Sequence, residues 1–194
     1  MSLLDDVLGI ARQMVREPRD AGASLGQLSL PRAVIFMAFV AVTAVSVIVT
    51  EPLLAIAATM IEGEPMAPLV RAIGSTLGGL ATVWVIWKVG GLLQGTGSFD
   101  QIFLGFVFLE GIFILAIVGL LILVSLVPAI AGLAGIAFVC YWLWMVANVM
   151  AELHGFPSAW KAFGVVVMSW VIVNYASIMV MNVLTGMAGG PSNV

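Results

Sequence analysis

Residues 33–50 contain no Asp, Glu, Lys or Arg, and four later stretches of similar or greater length carry almost no charge. That feature leaves few folds open. About 20 consecutive apolar residues are enough for a helix to cross the hydrocarbon of a bilayer. Five such segments in 194 residues are more than a water-soluble core of this size can cover, and only 9% of the chain is charged against 62% hydrophobic. Soluble domains carry roughly 25% charged residues. A water-soluble enzyme is thereby excluded. Seven Lys and Arg against ten Asp and Glu give a net charge of -3, so no basic field is available for nucleic acid.

The expected fold is an all-α integral membrane bundle of five transmembrane helices, preceded by a short amphipathic N-terminal helix. The spans are expected over 33–50, 69–93, 101–127, 129–153 and 159–184. Residues 1–30 form the tail and 31–194 the membrane domain. The first span ends at Glu51-Pro52, with Leu53–Ile61 as an apolar extension. Glu62-Gly63-Glu64-Pro65, Gly95-Thr96-Gly97-Ser98, Pro128 and Gly155-Phe156-Pro157-Ser158 mark the turns. In the tail, Leu3, Leu4, Val7, Leu8, Ile10, Ala11, Met14 and Val15 recur at helical spacing up to Glu17-Pro18. Such a helix can lie in the membrane interface or cap the bundle. The apolar core begins some thirty residues in and no cleavage pattern precedes it, so the tail is expected to be retained.

The few positive charges orient the bundle. Arg12, Arg16, Arg19, Arg32, Lys88 and Lys161 fall on the N-terminal side of the five spans, and only Arg71 falls on the other, with Glu51, Glu62 and Glu64. Lys and Arg concentrate in cytoplasmic loops. The expectation is a multi-pass protein of the cell inner membrane, N-terminus in the cytoplasm and C-terminus outside.

Glu110 is the one charge inside the third span. An ionisable group in hydrocarbon costs about 2.5–3.5 kcal/mol on insertion scales and is a functional candidate by default. Asn148 lies at a similar depth in the fourth span, and Lys88 is close enough in depth to be a partner; the three form a candidate intramembrane polar site. The alternative is a glutamate that orients helices. Asn148, Asn174, Asn182, Ser169 and Ser177 are expected to bond between helices, and Gly74, Gly78, Gly132 and Gly135 to allow close helix approach. Glu51 and Arg71 either pair across the first two spans or stand solvated at headgroup level. Trp84, Trp87, Tyr141, Trp142, Trp144 and Trp160 read as an interfacial aromatic belt. His154 is the only histidine and Cys140 the only cysteine. No metal site, cofactor or catalytic triad is expected from that inventory.

Two segments, Gly91-Leu92-Leu93-Gln94-Gly95-Thr96-Gly97-Ser98-Phe99-Asp100-Gln101 and Glu152-Leu153-His154-Gly155-Phe156-Pro157-Ser158-Ala159-Trp160-Lys161-Ala162-Phe163, together with Glu17-Pro18-Arg19, carry a resemblance. With them the chain resembles the bacterial branch of the Yip (Ypt-interacting protein) family over nearly its whole length. The resemblance implies five spans and a cytoplasmic N-terminus. Eukaryotic members act in Golgi and endoplasmic-reticulum traffic and bind Rab-type GTPases. The Asp-Leu-Tyr-Gly-Pro segment of those relatives is absent here, so Rab binding does not carry over. What carries over is a non-enzymatic membrane protein whose cytoplasmic loops interact. Gly95, Gly97, Ser98, Phe99, His154, Gly155 and Lys161 are the candidate loop residues. The expected partners are the lipid bilayer and other membrane proteins or a larger complex, to which the protein would be an accessory. A transporter or lipid translocator using Glu110 is the alternative.

Overall fold

A computed structural model describes residues 3–58 and 67–188, with side chains described over 5–51 and 67–183. The expected turn at Glu62–Pro65 lies outside the described residues. The described residues form seven α-helices in order: α1 (Leu3–Arg16), α2 (Pro18–Gln27), α3 (Arg32–Ala58), α4 (Pro68–Leu92), α5 (Phe99–Leu126), α6 (Ala131–Leu153) and α7 (Ala159–Ala188). A 3-10 turn over Pro128–Ile130 links α5 to α6. Five helices, α3 to α7, are long and apolar enough to cross a membrane.

Local chemistry sets the ends. Pro18 and Pro68 stand in the first turns of α2 and α4, where a missing N–H costs nothing. Ser98 and Gln101 form a capping box on α5: Gln101 N donates to Ser98 Oγ at 3.3 Å, and Ser98 N donates to Gln101 Oε1 at 3.0 Å. Glu51-Pro52 does not stop α3, which continues to Ala58. The tail holds two helices where the sequence suggested one. Gly22, Ser24 and Gly26 are poor helix formers and hide α2 from a propensity reading, but Gly22 is needed for contact. A Cβ there would lie 2.8 Å from Glu152 Cβ and 3.1 Å from the Val149 carbonyl of α6.

Helices α4, α5, α6 and α7 surround a common interior, and α3 packs on α5 and α4. Phe39 of α3 joins the three: its ring lies 5.3 Å from Phe103, 6.2 Å from Phe106, and against Gly79. Glu51 and Arg71 do pair, and Arg71 Nη2 also donates to the Val47 carbonyl at 3.2 Å. The pairing is intelligible because Arg71 is largely buried, at 14% side-chain exposure.

Two packing expectations fail. An added Cβ at Gly74, Gly78, Gly132 or Gly135 would meet nothing within 4 Å; close approach falls at Gly79, Gly90 and Gly105 instead. Asn148, Asn174, Ser169 and Ser177 each donate to a carbonyl four residues back in their own helix, at 2.7–2.8 Å. That local acceptor is always in reach of a short polar side chain and competes with any neighbour helix.

Burial is concentrated at one end. No residue of α4 before Val83, of α5 after Ile117, of α6 before Met145, or of α7 from Asn174 to Val183 is buried. The core therefore fills the half of the bundle nearest α1 and α2. Leu126, Leu133 and Tyr175 at the other end are 75%, 72% and 66% exposed. In water that surface would drive aggregation; in a bilayer, lipid tails cover it.

Candidate functional site

The helix ends on the tail side close into a polar cap. Two helices end there in the same motif. In α4, Gly95 N donates to Gly90 O at 2.8 Å and Gln94 N to Gly91 O at 3.0 Å. In α6, Phe156 N donates to Ala151 O at 2.8 Å and Gly155 N to Glu152 O at 2.9 Å. Both are Schellman caps, which require a left-handed residue. Gly155 (φ +67) supplies it in one, and Gln94 (φ 67), an unfavourable residue there, in the other. The two turns bond to each other through Thr96 N, which donates to the His154 carbonyl at 2.9 Å. Gly97 passes so close to the Leu153 carbonyl that no Cβ fits.

His154 is the centre of the cap and is 1% exposed. Its Nδ1 lies 2.9 Å from the Met150 carbonyl. Its ring stacks on Phe156 at 5.1 Å and 9°, and the Lys161 ammonium lies 4.5 Å from the centre of that same Phe156 ring. The ring also presses on Gly90, where a Cβ would collide with it. His154 Nε2 is buried with no partner of hydrogen-bond geometry. Burial is the largest influence on this imidazole and holds its pKa below the usual 6.5; the carbonyls of Met150 and Ile86 act the other way.

Helix α2 lies over both turns. Arg19 Nε donates to Glu152 Oε2 at 3.1 Å, and Arg19 Nη2 donates to the Phe156 carbonyl at 2.7 Å. Gln101 Nε2 donates to the Gly26 carbonyl at 2.9 Å. Between α2 and the turns remains a cleft of about 390 Å³ bordered by Gly22, Thr96, Gln101 and Glu152. Pro18, Ala21, Gly22 and Leu25 of α2 are buried, as are Ile10 and Met14 of α1. The tail thus packs on the bundle, while Leu8 and Val15 of α1 stay about half exposed.

The predicted loop residues come together here: Gly95, Gly97, His154, Gly155 and Lys161 in the cap, Ser98 and Phe99 at the start of α5. Phe99 stacks edge-on with Trp87 at 5.8 Å. Beside it, Arg32 grips Asp100 with two bonds of 2.8 and 3.0 Å. The three predicted intramembrane residues do not come together. The Lys88 ammonium lies 4.2 Å from the centre of the Trp87 ring. Asn148 is spent on Trp144 of its own helix. Glu110 borders a cavity of about 490 Å³ between α4, α5, α6 and α7.

Residues 12–181, most of the chain and all of the cap, match the family model of the Yip1 domain. The chain belongs to the Yip1 domain family. No curated protein and no solved structure matches it. As a Yip1 domain with five helices able to span a membrane, it is a multi-pass membrane protein of a non-catalytic family. Among the described residues, no group of three or more His, Cys, Asp or Glu could hold a metal ion. Within this Yip1 domain, sequence reasoning missed Gly90 and Gln94 as parts of the cap. Gly155 carries the ordinary glycine signal of a helix end. Gln94 carries none, and Gly90 matters only because His154 arrives from another helix.

Proposed function

We propose that this Yip1 domain protein works by interaction, with the cap as its working surface. It engages a protein or lipid partner at the membrane, organising the bilayer or serving as an accessory subunit of a larger complex. In this reading it belongs to the bacterial branch of the family and sits in the inner membrane, cap and N-terminus in the cytoplasm, C-terminus outside. One observation carries the proposal. The tail and the two turns, far apart in sequence, are docked into a single polar unit. Six of the seven Lys and Arg belong to elements gathered at that end, which supports the orientation.

The test is to purify wild type and Gly22→Leu in mild detergent and compare co-purifying proteins and liposome binding. Leucine at position 22 displaces α2 from α6, so partner or lipid binding should fall. A wild type that purifies alone and binds no lipid removes the reading, as does an unchanged partner set in the variant. Orientation is tested separately with Asp20→Cys in a Cys140→Ser background. A membrane-impermeant maleimide should label it only after the membrane is opened; labelling of intact cells refutes the orientation.

The cavity at Glu110 favours a second reading, a transporter or lipid translocator. Glu110→Gln should then abolish flux in proteoliposomes while the protein still folds. Equal flux with wild type, variant and empty liposomes removes this reading.

A further inference from the structure

Glu110 lies eleven residues into α5, about 16 Å along the helix from the cap. Among the described residues it is the only ionisable side chain on the wall of its cavity, whose other members include Thr82, Phe106, Trp142, Met150 and Trp170. Among the described residues the carboxyl group has no ion pair and no hydrogen bond. The polar groups that could have served it are engaged elsewhere. The Thr82 hydroxyl donates to the Gly78 carbonyl at 2.8 Å, and Lys88 sits on Trp87. Lys161 lies on Phe156. On one side the wall is formed by Leu143, Val167 and Trp170, which are also exposed on the flank of the bundle. The cavity therefore opens sideways between α6 and α7, toward lipid.

We propose that this cavity binds a lipophilic cation, an amine or quaternary ammonium carried on an apolar body. Charge complementarity selects the sign: one carboxylate and no cation line the space. Indole faces attract cations more strongly than other side-chain rings do, and Trp142 and Trp170 both border the site. The apolar remainder of the wall suits the ligand's body, and the volume lies within the usual range for small-molecule sites. A lateral mouth admits a ligand dissolved in the bilayer. The inference is independent of the cap reading and requires equilibrium binding only, not translocation.

The test uses the full chain in a non-ionic detergent and two probes of the same shape and opposite charge, tetraphenylphosphonium and tetraphenylborate. Wild type should bind radiolabelled tetraphenylphosphonium saturably, one per chain, and in separate samples should bind radiolabelled tetraphenylborate at least about tenfold more weakly. Glu110→Gln should bind at least about tenfold more weakly, with an unchanged melting temperature and a single elution peak. Should that variant fail to fold, Trp142→Leu gives the second reading and should also weaken binding. No saturable binding by wild type up to millimolar probe overturns the proposal. So does equal affinity in wild type and Glu110→Gln, or equal affinity of wild type for the two probes measured apart.

Discussion

A single imidazole decides how the cap responds to acid. His154 is buried, and burial holds its folded pKa below the 6.5 it has when exposed. As pH falls through 6.5 the unfolded chain takes up a proton that the folded chain refuses, so folding loses free energy. The contribution is complete above 6.5 and is lost progressively down to the folded pKa. Apparent melting temperature in detergent should fall between pH 7.5 and 5.5, and His154→Gln should flatten that slope; a slope unchanged in the variant would assign it to other groups. The same imidazole explains Gly90. A methyl group there meets a ring held by Met150 and by Phe156, and forcing atoms into such a packed place costs about 1–3 kcal/mol. Gly90→Ala should lower the melting temperature, whereas Gly91→Ala, which meets nothing within 4 Å, should not.

Among the elements, α2 is held by buried Pro18, Ala21, Gly22 and Leu25 and by a few polar bonds. The Arg19–Glu152 pair is about two-fifths exposed on both sides, so it contributes at most about 1 kcal/mol. Close packing at Gly22 matters more. Amide exchange in α2 should rise sharply in Gly22→Leu and only modestly in Arg19→Ala, while α5 and α6 stay protected in both. Equal protection of α2 in wild type and Gly22→Leu would show that the docking does not depend on that contact. The five long helices were legible in the sequence because a charge-free run near membrane length admits little else. Turn signals at Pro68, Ser98, Pro128 and Gly155 lie at helix ends, whereas α3 runs through Glu51-Pro52 to Ala58. The cap was not legible as an assembly. Its decisive contacts join residues from different helices, Gly22 to Glu152, Gly90 to His154 and Thr96 to His154, and no periodicity encodes them. The small residues that the sequence did advertise, Gly74 and Gly78 among them, touch nothing nearby.

Among the described residues, packing is dense near the cap and sparse over the far ends of α4, α5, α6 and α7. Between helices in lipid there is no hydrophobic drive to close that gap, and segments with few buried contacts open most easily. Spin labels at Leu92 and Trp160, on the cap ends of α4 and α7, should give a narrow distance distribution. Labels at Ile136 and Met179, on the far halves of α6 and α7, should give a broader one. Equal widths would mean that something covers the far half. Mechanically the molecule resembles a pair of tongs, with the Thr96–His154 tie at the grip. A thicker or thinner bilayer can be met by tilting the loose limbs, at a fraction of a kcal/mol per ångström. The grip keeps its shape, so the cap presents the same face in membranes of different thickness.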